Sequence, residues 1–358
     1  MPGRAAQPPG PTRRAFVAGL AVTPAILSPR TRALAAEPVS IGIVNTISDA
    51  GFFVADAKSY FKDEGLEVKF VPFRSGATMI APLGSGELDV GAGAVSAGLF
   101  NANERNISIK IVADKARNAP GYGFQSIVVR RALIDEGRFD SFADLRGLKV
   151  AIPNIGSVGE QSILNEALKL GGLAYADCEK VFLGINDQVA AYRNGAIDAS
   201  VISEPLISIM IKQGFVARFA TVDRFYPNEQ AAVVAFGEAF SRGRADAAQR
   251  LMKAYLKGVR DYNDVLHDGR LAGPKADEIV DCVARYSVTK DRDLIRQVIP
   301  SACDPDGAVN VEGLAKDLAF IKTLGLVNAS ASVDEIVDMS FAKAAVAELG
   351  PYRKERPG

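Results

Sequence analysis

The chain of 358 residues is long enough for two lobes with separate cores, and its 42 basic residues balance its 42 acidic ones. Without the five arginines of its first 36 residues the chain is net negative, which argues against nucleic acid or an anionic membrane surface as a partner. One histidine and three scattered cysteines, Cys178, Cys282 and Cys303, are too few for a zinc site or a disulfide framework; free buried thiols are expected, although one pair could bridge after export.

The first 36 residues read as an address rather than as fold. Arg13-Arg14 precedes an apolar run, Val17 to Leu27, too short to span a bilayer. Ala33-Leu34-Ala35 supplies the small-x-small pattern of a signal-peptidase site, so cleavage is expected after Ala35 or Ala36. The arginine pair favours the twin-arginine export route. Five arginines and no acid lie in this leader, which leaves 37 basic against 42 acidic residues, a net charge of −5.

From Val39 strands and helices alternate, which predicts α/β architecture with parallel sheets. Val39–Val44 reads as a strand. Asp49 is placed to cap a helix carrying Phe53, Ala57, Tyr60 and Phe61 and ended by Gly65. The next strand, Glu67–Pro72, runs into a turn of small residues, Ser75-Gly76-Ala77, at a helix start. Leu88–Gly91 is a strand that leads into Ala94-Val95-Ser96 and a second helix. Ile109–Ala113 and Ser126–Arg130 are further strands, separated by a loop that contains Tyr122. A second half follows the same rhythm. The strand Leu148–Ile152 ends in Gly156-Ser157 at the start of a helix that stops at Gly171. Strands at 181–183, 200–202 and 216–221 alternate with helices near 187–193 and 205–213. Gln230–Phe236 is an apolar strand running back, and 240–349 reads as almost wholly helical. No tandem repeat is visible. In open α/β sheets, ligands sit at the carboxyl ends of strands against helix starts. The candidate ligand-binding residues are therefore Asp49, Phe52, Ser75, Gly76, Ala77, Ala94, Val95, Ser96, Tyr122, Gly156, Ser157 and Glu204. The alternatives are ordinary βα turns for the glycine-serine loops, helix packing for Phe52, and a helix-capping role for Glu204 beside Pro205.

Five blocks occur in order. They are Gly51-Phe52-Phe53-Val54-Ala55 with Tyr60-Phe61-Lys62-Asp63-Glu64-Gly65-Leu66-Glu67-Val68; Ser75-Gly76-Ala77 with Leu83-Gly84-Ser85-Gly86-Glu87-Leu88-Asp89-Val90-Gly91; Leu145-Arg146-Gly147-Leu148-Lys149-Val150-Ala151; Asn194-Gly195-Ala196-Ile197-Asp198-Ala199; and Glu204-Pro205. Together they resemble the ABC-transporter periplasmic solute-binding proteins of the nitrate/sulfonate/taurine family, which includes binders of thiamine-pyrimidine precursors. Ser59 stands where that family usually has glycine. The resemblance implies a two-lobe (type II) periplasmic-binding-protein fold with two parallel or mixed sheets, two hinge crossings and a helical C-terminal part. Lobe 1 would comprise 37–127 and 237–358, lobe 2 would comprise 128–236, and the crossings would fall near Ile127–Arg130 and Gln230–Phe236. It also implies a periplasmic monomer that binds a small solute between its lobes and hands it to the permease and ATPase subunits of an importer, with no cofactor and no metal.

Two helix starts, at Ser75–Ala77 and Gly156–Ser157, favour a carboxylate or sulfonate. Arg74 would add positive charge if turned inward. Glu204 favours an amino group, as on an aminopyrimidine, unless Arg74 neutralises it. Two other classes compete. Gly91-Ala92-Gly93-Ala94-Val95-Ser96, with Asp114 further on, has the outline of a dinucleotide-binding turn, but Ser96 replaces its third glycine. An enzyme on the same scaffold, of desulfinase or pyrimidine-synthase kind, would need a cleft cysteine or histidine. The only histidine is His267, which reads as a surface residue, and no cysteine precedes Cys178, so no enzymatic activity is expected.

Overall fold

The computed structural model describes residues 1–6, 10 and 36–354. Met1–Ala35 and Ala36–Gly358 are separate compact units. Of the first, residues 1–6 and 10 are exposed and outside helix and strand; the arginine pair and the expected cleavage site lie outside the described residues. The second unit carries the fold.

Ten strands build two sheets: β1 (Glu37–Ile43), β2 (Leu66–Pro72), β3 (Val90–Ala94), β4 (Ile109–Asn118), β5 (Gln125–Arg130), β6 (Lys149–Ile152), β7 (Glu179–Phe182), β8 (Ala199–Ser203), β9 (Val216–Thr221) and β10 (Glu229–Gly237). The first sheet has the order β2-β1-β3-β10-β4 and the second β7-β6-β8-β5-β9. In each, three strands are parallel and the fourth place is taken by an antiparallel strand, β10 or β5, inserted beside a fifth. Both sheets are therefore mixed and share one order. The chain passes between them at 119–124 and again at 222–228. Neither stretch expected at a crossing lies there: Ile127–Arg130 is part of β5 inside the second sheet, between β8 and β9, and Gln230–Phe236 lies inside the first sheet, where all nine residues of β10 are buried between β3 and β4.

The same local device opens both sheets. Asp89, just before β3, accepts from the Ser40 N–H at 2.8 Å; Asp198, just before β8, accepts from the Lys149 N–H at 3.1 Å. Each acid thus satisfies a backbone donor of a neighbouring strand, in the middle of β1 and at the start of β6, and the sequence separation is 49 residues in both. Arg244 completes the first carboxylate at 3.0 Å and Arg130 the second at 2.5 Å.

Five helices matter for the site: α1 (Ala50–Ala57), α2 (Ala97–Glu104), α3 (Val158–Leu170), α4 (Ala245–Asp264) and α5 (Val311–Thr323). α1 crosses α4 at a glycine pair. A Cβ on Gly258 would lie 2.3 Å from the Gly51 carbonyl oxygen, so only glycine permits this approach. Around that contact the first core gathers Phe52, Phe53, Phe61, Tyr255 and Phe236. A separate core under the second sheet holds Ile127, Val150, Ile152, Ile163 and Leu164. The region after β10 is less uniformly helical than expected: a short hairpin, Leu266–His267 with Arg270–Leu271, and loops at 298–310 and 324–339 interrupt it. Cys178, Cys282 and Cys303 are buried free thiols.

Candidate functional site

The loops after β3 and β6 meet across the two sheets. Ser96 and Ser157 form an isolated antiparallel bridge. The Ala97 N–H donates to Gly156 O at 2.9 Å, and the Val158 N–H donates to Val95 O at 3.3 Å. Ala97 and Val158 are the first residues of α2 and α3, so two helix starts face each other and each offers its first donor to the opposite lobe. Four of the candidate residues, Val95, Ser96, Gly156 and Ser157, are thus brought together in one seam. The second helix start does not present its donors freely, contrary to expectation: the Ser157 N–H closes onto Asn154 O and the Val158 N–H crosses the seam.

The other candidates divide. Gly76 backs this seam, because a Cβ there would lie 2.4 Å from Ala94 O; Ala94 and Gly76 are packed backbone to backbone. Ser75 precedes the 3-10 turn Gly76–Met79, and Ala77 lies within it. Asp49 is fully buried. Its carboxylate accepts from the Thr46 N–H at 3.0 Å and pairs with Lys115 on β4 at 2.8 Å. Lys115 also donates to Ser48 Oγ at 2.9 Å, so the loop after β1 is held by a buried cation that sequence reasoning missed. Phe52 is a core residue rather than a ligand contact: it is fully buried and its ring centroid is 4.3 Å from that of Tyr255 on α4. Tyr122 packs partly buried against the cluster around Val265 and Leu271.

Glu204 takes the capping alternative. It is buried, accepts from the Ser208 N–H at 3.1 Å and from Ser208 Oγ at 2.9 Å, and pairs with Arg218 on β9. Arg74 is exposed. The partner of Glu204 is therefore Arg218, not Arg74, and an arginine in the middle of an apolar strand was the signal that a buried acid lay nearby. The dinucleotide reading fails at Asp114. That carboxylate is used up by Gln230 Nε2 and the Asp304 N–H, both at 2.7 Å.

A second group of side chains lies behind the seam. Glu160, one turn into α3, Glu229 at the start of β10 and Asp317 on α5 are all buried. Asn118 Nδ2 donates to Gln125 Oε1 and to Glu229 Oε2, each at 2.7 Å; Tyr226 donates to Asp317 Oδ1 at 2.5 Å. Burial pushes all three carboxyls up: Glu229 well above the usual range, with Asp317 and Glu160 adding repulsion; Asp317 to about 7; and Glu160 more modestly. Burial also raises the three thiols. Among the described residues, no group of three or more His, Cys, Asp or Glu is placed to hold a metal. No described helix is long and apolar enough to cross a membrane.

A family model described as NMT1/THI5 like matches residues 47–264, more than half of the chain and every loop of the seam. The chain belongs to the NMT1/THI5-like family. Within it, the chain is 27% identical over 184 residues to the taurine-binding periplasmic protein of Escherichia coli K12, covering 51% of this chain and 53% of that one. It is 30% identical over 157 residues to the 4-amino-5-hydroxymethyl-2-methylpyrimidine phosphate synthase of Aspergillus parasiticus, covering 42% of this chain and 41% of the other. The chain thus spans about half the length, or less, of these relatives. In structure, it is similar to the alkanesulfonate-binding protein SsuA of Xanthomonas axonopodis pv. citri, solved with bound MOPS. The TM-score is 0.66 and the identity 16%, over 84% of this chain and 98% of that one. This NMT1/THI5-like chain therefore has the two-lobe periplasmic-binding-protein fold of the nitrate/sulfonate/taurine group.

Proposed function

We propose that this protein is the solute-binding component of an ABC importer, exported to the periplasm by the twin-arginine route, and that it takes a small organic anion of sulfonate or carboxylate type between its lobes. It acts as a carrier and not as an enzyme. The observation that carries the anion reading is the seam: the starts of α2 and α3 oppose each other, with the Ala97 and Val158 N–H groups directed across it. Parting of the lobes, with hinges at 119–124 and 222–228, frees two backbone donors at two positive helix ends, which suits a tetrahedral or planar oxyanion. The taurine and alkanesulfonate binders among its relatives support that class.

A second reading has its own observation. The buried acids Glu160 and Glu229 behind the seam favour a solute that brings hydrogen-bond donors, as an aminopyrimidine does. A molecule with an acid at one end and an amine at the other satisfies both features.

Calorimetry separates these readings. The probes are ethanesulfonate, taurine and short carboxylates on one side, and 4-aminopyrimidines on the other. Ala97 and Val158 each occupy the first helical position, where proline deletes the N–H yet keeps the helix. Their predecessors Ser96 and Ser157 already have extended backbone, as a residue before proline requires. Each of Ala97→Pro and Val158→Pro should weaken the anions by about 1.5–3 kcal/mol, the worth of a hydrogen bond to a charged group, and leave neutral heterocycles nearly unaffected. Binding of aminopyrimidines alone, or anion affinity indifferent to both prolines, overturns the anion reading.

A further inference from the structure

Glu160, Glu229 and Asp317 come from elements that belong to different lobes. Glu160 sits on α3 of the second sheet's lobe; Glu229 and Asp317 sit on β10 and α5 of the first. The contact is close. A Cβ on Gly159 would lie 2.5 Å from Glu229 Oε1, so the first turn of α3 is glycine where the opposing carboxylate meets it. Three carboxylate oxygens, Glu160 Oε2, Glu229 Oε1 and Asp317 Oδ2, are buried with no hydrogen-bond partner among the described residues. A bare carboxylate oxygen in that position is costly, whereas a protonated one becomes a donor to its neighbour.

We propose that this interface is a proton-operated latch: closing the lobes brings Glu160, Glu229 and Asp317 together out of water and takes up protons, which opening gives back. The proposal rests on the reading that the lobes move, but on no particular solute.

The groups facing the cluster are few. From β4 come Asp114, with Arg117 3.7 Å from it, and the neutral Asn118; from β5 comes neutral Gln125. From α3 come Ser157, Ser162 and Glu166, and from the second crossing comes Tyr226. The cation on α5, Lys316, is held 2.8 Å from Glu166 and 4.1 Å over the Tyr226 ring. Acids thus outnumber bases around the cluster, and the nearby cation is already engaged. A solvated carboxyl titrates near pH 4. The closed interface holds Asp317 at about 7 and Glu229 well above its usual value. Closed protein therefore carries more protons than open protein from about pH 4 through about pH 7, and closure weakens as pH rises through that window.

The test uses the full chain without solute. Ser96 and Ser157 are a directly opposed antiparallel pair that exchanges no hydrogen bonds with each other. Such pairs have Cα atoms about 4.5 Å apart, within disulfide range. Oxidised Ser96→Cys/Ser157→Cys protein is locked shut, and reduced protein is free to open. Carbon-13 carboxyl NMR, assigned with Glu229→Gln and Asp317→Asn, follows the two acids in each form. In the locked form Asp317 should titrate near pH 7 and Glu229 above the usual range. On reduction both should move down towards pH 4, a shift of about three units for Asp317. In solution scattering, the wild type should be more compact at pH 5 than at pH 8, and the doubly neutralised Glu229→Gln/Asp317→Asn protein should lose that difference. Ordinary titration in the locked form, identical titration in both forms, or failure of the disulfide to form would each overturn the latch. A protein that binds no anion can still pass this test, and one that binds an anion can still fail it.

Discussion

At the scale of single residues, the largest consequence belongs to Asp49 and Lys115. Both side chains are removed from water and 2.8 Å apart. An uncompensated charge left in such a place costs about 3–5 kcal/mol, more than the pair itself contributes over an apolar replacement. Lys115→Met should therefore destabilise the protein by that amount in urea unfolding, and Asp49→Asn combined with it should recover a large part. A double mutant as unstable as the sum of the singles would show that the two residues act separately. Asp49 stands at the start of α1 as expected, but its carboxylate makes no capping bond to that helix and turns to Thr46 N–H and Lys115 instead, a partner that was hidden. Lys115 lies in the run Asp114-Lys115-Ala116-Arg117-Asn118, which looks like a charged turn. It is the continuation of β4, and each polar side chain in it finds a buried or half-buried partner contributed by a distant part of the chain.

At the scale of elements, the α1–α4 crossing sets two known effects against each other. Replacing a helix-interior glycine with alanine ordinarily gains about 1 kcal/mol. At Gly258 the new methyl would lie 2.3 Å from Gly51 O and 2.8 Å from Ala55 Cβ, and forcing two packed helices apart costs about 1–3 kcal/mol. The clash outweighs the propensity gain, so Gly258→Ala should lower the melting temperature; a rise would show that the crossing is slack. Most strands and helices could be read from the sequence, because alternation and small-residue turns are local signals. The glycine-serine loops were legible for the same reason. Glu160, Glu229 and Asp317 were not: they stand on three separate elements, and nothing local marks an acid as buried. Phe52 was misassigned because one aromatic residue beside a loop does not reveal which side of its helix meets a neighbour.

At the scale of the whole molecule, the shared order of the two sheets has a bearing on how the chain folds. The second sheet is built from one continuous stretch, β5 to β9. The first sheet is not: β1 to β4 are made early, but β10 must still be inserted between β3 and β4. Contacts of long sequence separation form slowly because the intervening loop has to be closed first. Pulse-labelled hydrogen exchange during refolding should protect amides of β5, β6 and β8 before those of β4, whose neighbour in the sheet is β10. Simultaneous protection, or the reverse order, would contradict this. On a ribosome the consequence is sharper. The half that carries β1 to β4 has to wait, with β3 and β4 apart, until the other half has been synthesised; if the proposed twin-arginine route is the one used, a machinery that accepts only finished proteins would then be testing for the arrival of a single strand.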